Sequence, residues 1–153
     1  MRVQFAASVA DLMGKDDKVV LLIGDIGGWG LRTAFSKFPN RCFNLGAAEQ
    51  SMVSIGAGMA KEGFYPIIHS ISSFLLRRAY EQIYLDFGVQ GLKGLFVGIG
   101  EYPKLGPSHI CNEDTQLVEN IPHMDHYAPT LPATLDALMR DITRNRALAY
   151  IRL

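Results

Sequence analysis

Short continuous apolar runs alternate along the chain with longer stretches in which apolar residues recur at helical spacing. Phe5, Ala6, Val9, Ala10 and Met13 share one helical face, and Gly14 supplies a stop signal. Val19 to Ile23 is unbroken and ends at Gly24, the pattern of a strand buried on both faces of a parallel sheet. Arg41 to Leu45 predicts a second strand and Tyr65 to His69 a third; between them residues 49 to 61 form a helix rich in small residues. Ser73 is placed to cap a helix running through Leu76, Ala79, Tyr80 and Ile83. Leu95 to Ile99 predicts a fourth strand, and a Gly- and Pro-containing loop follows over 100–113. A short helix over 114–120, a strand over 124–128, a helix from Pro132 to Arg144 and a strand from Leu148 to Leu153 complete the reading.

Strands separated by helices require right-handed crossovers. The expected fold is therefore α/β, a three-layer α/β/α domain over 1–153 with a mostly parallel six-stranded sheet. Ligand contacts in such sheets come from loops at the carboxyl ends of strands. That singles out loops 24–32, 45–49, 69–73 and 100–113.

Composition narrows the function classes. Apolar residues make up 48% and charged residues 20%, an ordinary globular balance. Lys plus Arg number 15 and Asp plus Glu number 15, which argues against nucleic-acid or anionic-membrane binding. Gln4, Ser8 and Asp11 interrupt the first apolar stretch, which argues against a secretory signal, and no apolar run has transmembrane length. Two cysteines, Cys42 and Cys111, without metal-ligand spacing fit a reducing compartment, and the expected location is cytoplasmic. Gly24, Gly27, Gly28 and Gly30 lack the spacing of a dinucleotide-binding fingerprint.

The segment from Phe38 through Asn44-Leu-Gly-Ala-Ala-Glu49-Gln50 carries the strongest signal, a strand and turn that deliver Glu49 to the start of a helix. By itself, a first-turn glutamate is explained by the helix dipole. Here the surroundings resemble the pyrimidine-binding domain of transketolases and deoxyxylulose phosphate synthases. That family runs from Phe-Pro-x-Arg-x-Phe through Ala-Glu-Gln into Ala-Gly-Met-Ala. The resemblance continues over Ser73 to Gln82, similar to the family's Phe-x-x-Arg-Ala-Phe-Asp-Gln, then over Gly106-Pro-Ser-His109, and ends at Ala149-Tyr-Ile-Arg152.

The resemblance implies thiamine diphosphate as cofactor and Glu49 as its activating residue. A buried carboxyl there hydrogen-bonds a ring nitrogen of the aminopyrimidine and so promotes loss of the thiazolium C2 proton. It implies Phe74 as an aromatic neighbour of the pyrimidine, with one extra residue between Pro66 and Arg78 relative to the family. Asp25, beside Ile26, matches an acidic residue near the cofactor. His109 matches a histidine near the substrate, Arg2 matches a phosphate-binding arginine, and His69 is a further substrate candidate at a strand end. Each has a plain alternative: core packing for Phe74, a turn for Asp25, solvation for His109, a satisfied strand end for His69, a frayed terminus for Arg2.

Family members hold the diphosphate through a divalent cation on another domain marked by Gly-Asp-Gly, and hard oxygen ligands suit magnesium. The only Gly-Asp here, Gly24-Asp25, precedes Ile26, so this chain is expected to bind no metal itself. The diphosphate-binding domain and the C-terminal transketolase domain are expected to be absent. The expected partner is a diphosphate-binding chain of the transketolase N-terminal type, in a heterotetramer of two copies of each. The expected activity is transfer of a two-carbon ketol unit, or acyloin formation, on a sugar or sugar phosphate. Leu105 stands where transketolases carry a substrate-contacting aspartate, which puts ordinary sugar contacts in question. The alternatives are a non-catalytic interaction domain that kept the fold, or a fragment of a longer transketolase.

Overall fold

The five residues Val19–Ile23 form β1, and every one of them is buried. This is the outcome a β-branched apolar run with no polar alternation predicts. The computed structural model describes residues 1–100 and 102–153; Glu101, in the predicted 100–113 loop, lies outside the described residues. The described elements are α1 (Arg2–Lys15), β1, α2 (Gly28–Lys37), β2 (Cys42–Asn44), α3 (Glu49–Lys61) and β3 (Tyr65–Ile71). A wide-turned helix follows, π-helical over Phe74–Arg78, α-helical over Tyr80–Gln82 (α4) and π-helical over Ile83–Val89. Then come β4 (Gly94–Ile99), α5 (Asp114–Glu119), β5 (Met124–Tyr127), α6 (Pro132–Arg144) and β6 (Leu148–Arg152).

The six strands make one sheet in the order β2-β1-β3-β4-β6-β5, and every neighbouring pair is parallel. Two cores cover its faces. One joins α1, α2 and α6 to Leu21, Ile23, Ile67 and Val97; the other joins α3, the wide-turned helix and α5 to Leu22, Ile68 and Phe96. Side chains of β3 therefore alternate between cores, so neighbours in sequence point to opposite layers.

Several expectations need correction. The predicted loop 24–32 ends early, because α2 begins at Gly28 with Gly27 in the left-handed conformation (φ 76°) as its N-cap. Glycine-rich sequence disguised a helix whose buried residues, Leu31 and Ala34, join the core beneath it. The inner face of α1 also includes Ser8 and Leu12, while Ala6 and Ala10 are half-buried. Ser8 is tolerated inside because its hydroxyl donates to Asp136 at 2.6 Å. Ser73 occupies the N-cap position but makes no capping bond with its side chain; its hydroxyl instead donates to the Ser108 carbonyl at 2.6 Å and ties β3's outlet to the 100–113 loop. Arg41 precedes β2 and turns its guanidinium onto the carbonyls of Met13 (2.8 Å), Asp16 (2.8 Å) and Val19 (3.2 Å). It thereby closes the end of α1 and the entry to β1.

Packing is tightest where β4 meets β6. A Cβ added at Gly98 would sit 2.5 Å from Ser72 Oγ and overlap the Tyr150 hydroxyl, whereas one at Gly58 on α3 meets nothing within 4 Å. Gly98→Ala is expected to destabilise the chain by about 1–3 kcal/mol through overpacking. Gly58→Ala is expected to stabilise it by about 0.5–1 kcal/mol through helix propensity. Urea unfolding of the two variants checks the opposite signs; equal shifts would contradict the packing described.

Candidate active site at the carboxyl edge of the sheet

A polar turn after β2 delivers Glu49 to the first turn of α3. Asn44, the last residue of β2, accepts from the Asp25 and Gly46 amides at 3.0 and 3.1 Å, and its own amide donates to Asp25 Oδ1 at 3.2 Å. These bonds lock the ends of β1 and β2 together and steady Asp25, whose φ of 54° is in the left-handed region that aspartate tolerates better than most residues. Asp25 is exposed and Ile26 half-buried.

Glu49 is buried, with 2% of its surface exposed, at a small cleft of about 220 Å³ lined by Ala47, Ala48, Gln50, Ser51 and Arg78. Its Oε1 accepts from the Ser70 hydroxyl at 3.3 Å, and its Oε2 lies 3.4 Å from Arg78 Nη1. Both contacts lie at the long limit for hydrogen bonds, so the carboxylate keeps capacity for a closer donor. Arg78 also lays its guanidinium over the Phe74 ring, 3.7 Å from the centroid. The half-buried Phe74 in turn meets His109 edge-on, with centroids 4.7 Å apart. His109 ends a short turn, Pro107–His109, where its Nδ1 lies 3.0 Å from the Ser108 hydroxyl.

Glu49, Phe74 and His109 thus form a continuous cluster, joined by Arg78. A planar group with N–H donors already lies between a buried carboxylate and an aromatic face. A flat nitrogen heterocycle has the same donor set and shape, so the residues present fit an aminopyrimidine.

Arg2, Ile26 and His69 are placed elsewhere. They line a separate cavity of about 340 Å³ on the α1 face of the sheet. His69 and Ser70 are consecutive on β3 and therefore point to opposite faces, so His69 does not join the Glu49 cluster. His69 is 1% exposed, packs on Phe5 at 4.7 Å and donates from Nδ1 to the Val97 carbonyl at 2.8 Å. Burial, aided by the nearby Arg2 charge and opposed by the hydrogen bond to Val97, lowers its pKa to about 4. Cys42 and Cys111 are free, buried thiols whose pKa is raised by burial to about 11, which disfavours the reactive thiolate.

Three residues at this edge escaped the sequence reading. Arg78 lies within the Ser73–Gln82 stretch, where its sequence position alone does not point to Glu49. Ser70 follows the predicted Tyr65–His69 strand and is legible in sequence only as a small polar residue beside His69. Asp114 opens α5 with 1% of its surface exposed and accepts from Arg152 at 2.9 Å and from the Tyr150 hydroxyl at 3.2 Å. It anchors the far end of the 100–113 loop. Among the described residues, no group of three or more His, Cys, Asp or Glu is arranged to hold a metal ion, and no helix is long and apolar enough to cross a membrane.

The family described as "Transketolase, pyrimidine binding domain" matches residues 1–153. The 6-deoxy-6-sulfo-D-fructose transketolase subunit SqwH of Clostridium sp. (strain MSTE9) is 35% identical over 143 residues, covering 91% of this chain and 44% of that protein. The chloroplastic 1-deoxy-D-xylulose-5-phosphate synthase 1 of Oryza sativa subsp. japonica is 36% identical over 134 residues, covering 86% of this chain and 18% of that one. The chain therefore spans half or less of the length of these relatives. A solved structure described as a split gene transketolase, inactive beta4 tetramer, superimposes with a TM-score of 0.87 at 27% identity, covering 98% of this chain and 49% of that one.

The depressed His69 pKa has a consequence for stability. Its folded value near 4 lies below the ordinary 6.5, so the unfolded chain binds the proton more tightly. The stabilisation is complete above pH 6.5 and is lost as pH falls from there toward 4. Between pH 7 and pH 5 the loss attributable to His69 is about 2 kcal/mol. His69→Gln removes the titrating group, so its urea-unfolding midpoint should fall less steeply over that interval than that of the unaltered chain. Parallel profiles would show that burial does not hold the imidazole neutral.

Proposed function

The chain belongs to the transketolase pyrimidine-binding-domain family, and we propose that it is the pyrimidine-domain subunit of a two-chain, thiamine-diphosphate-dependent enzyme. In this reading it transfers a two-carbon ketol unit, or forms an acyloin, on a sugar or sugar phosphate. The observation that carries the reading is the buried Glu49 carboxylate facing an aromatic ring across a planar cation. A helix-dipole glutamate has no need of burial, and an interaction domain has no need of a carboxylate stripped of water.

Thiamine diphosphate, when bound, would supply a nucleophilic thiazolium carbon for a carbonyl substrate and a cationic ring to take up the electron pair left by cleavage of the adjacent bond. Glu49 would hold a proton on a ring nitrogen of the aminopyrimidine. Phe74 would present its face to that ring, after Arg78 withdraws from between them. Low dielectric around Glu49 strengthens this hydrogen bond relative to the same bond in water. His109, touching Phe74, would face the substrate side. Asp25 lies on the β1–α2 connection, where it would border the cofactor, whereas Ile26 faces the cavity on the α1 side.

The partner would hold magnesium and the diphosphate through hard oxygen ligands. The Clostridium relative is named as a transketolase subunit, and the superimposed structure is a split-gene transketolase. Both support a division of the enzyme over two chains. The inactive tetramer in that structure supports a first-formed self-association and an activity that waits for the partner.

Affinity capture of the chain from its native cells is expected to bring down a polypeptide carrying Gly-Asp-Gly. In that complex, Glu49→Gln should lower turnover by at least about 100-fold, the scale of lost general acid–base catalysis, with assembly unchanged. Phe74→Ala should weaken cofactor binding by about three- to tenfold. Undiminished turnover of a properly assembled Glu49→Ala complex would end this reading, and a complex that binds no cofactor would favour the non-catalytic interaction domain.

A further inference from the structure

The cavity on the α1 face has a built floor. His69 donates its Nδ1 proton to the Val97 carbonyl at 2.8 Å, which fixes the tautomer and leaves Nε2 as a bare acceptor. Nε2 has no partner among the described residues, although the side chain is 1% exposed. Nε2 is not sealed off from solvent, so it stands as a free acceptor at the cavity floor. It is kept open by Gly27, where a Cβ would come within 3.0 Å of Nε2, at a φ of 76° that also disfavours any larger residue. Phe5, Ile26, Leu31 and Ile99 make apolar walls, and Trp29 and Tyr102 stand at the rim. Trp29 is 83% exposed, and the Arg2 guanidinium lies over the Tyr102 ring at 5.1 Å. None of the described lining residues is acidic.

We propose that this cavity is a binding site for a small, uncharged, largely apolar molecule, aromatic or branched aliphatic, that donates one hydroxyl or N–H hydrogen bond to His69 Nε2. Its volume of about 340 Å³ admits a molecule of single-ring size. Apolar walls provide affinity, and the single acceptor provides orientation. A free sugar is a poor occupant, because most of its hydroxyls would face the apolar walls, with only His69 Nε2 and the Arg2 guanidinium to pair them. The low pKa of His69 keeps the acceptor available throughout the neutral range. The site lies across β3 from Glu49, so it stands or falls independently of the cofactor reading.

The chain's only tryptophan, Trp29, is at the rim and reports occupancy by fluorescence. Titration of the full chain with p-cresol, excited selectively at the indole, is expected to change Trp29 emission with a Kd on the order of 10⁻⁴ to 10⁻³ M. 4-Methylanisole has the same body without the donor and should bind about tenfold more weakly. His69→Phe should abolish that preference. Ala6→Trp should fill the cavity and remove binding of both probes, and it serves if His69→Phe does not fold. Equal affinity for the two probes, no p-cresol binding up to about 10 mM, or binding that survives Ala6→Trp would overturn the proposal.

Discussion

Glu49 gives up nearly all of its hydration at the first turn of α3, and a carboxylate tolerates that only with compensating donors. The chain provides two, the Ser70 hydroxyl and the Arg78 guanidinium, neither of them short. Around this requirement the rest of the edge is organised. Asn44 fixes the turn that delivers the helix, β3 presents Ser70 from below, and the wide-turned helix brings Arg78 across Phe74. The helix N-terminus adds its own favourable field for the negative charge. A loosely paired carboxylate so placed remains ready to exchange its donors for those of a ligand.

The π-helical stretch Phe74–Arg78 has a direct connection to the sequence. Relative to the family pattern the sequence carries one extra residue between Pro66 and Arg78, and two arginines, Arg77 and Arg78, precede Ala79-Tyr-Glu-Gln82. A π-helical turn over Phe74–Arg78 is a way for a helix to take up one additional residue. Phe74 and Arg78 stay on one face of the helix, stacked at 3.7 Å. Such single-turn widenings occur often at functional sites, and this one sits beside the carboxylate.

Alternation along β3 divides the predicted site residues between two layers. In a strand buried on both faces, each step reverses the side-chain direction. His69 therefore serves the α1 layer and Ser70 the α3 layer, although they are adjacent in sequence. The same geometry gives the carboxyl edge two separate concavities, one polar around Glu49 and one apolar above His69. Asp25 belongs to neither; with Asn44 it secures the loop between them.

Strand and helix positions were legible in the sequence because apolar runs and helical periodicity report burial directly, as Val19–Ile23 and the Leu135, Met139 and Ile142 stripe of α6 do. The same local signals placed Glu49 at the start of α3. The α2 start at Gly28 was illegible, because its glycines have no intrinsic helical preference and are held there by docking of Leu31 and Ala34. Contacts between residues distant in sequence were decided by the tertiary structure. Arg78 meets Glu49 across 29 positions, Phe74 meets His109 across the 100–113 loop, and His69 turns away from both. Periodicity fixes which side of its own element a residue occupies, but only the stacking of layers brings two such sides together.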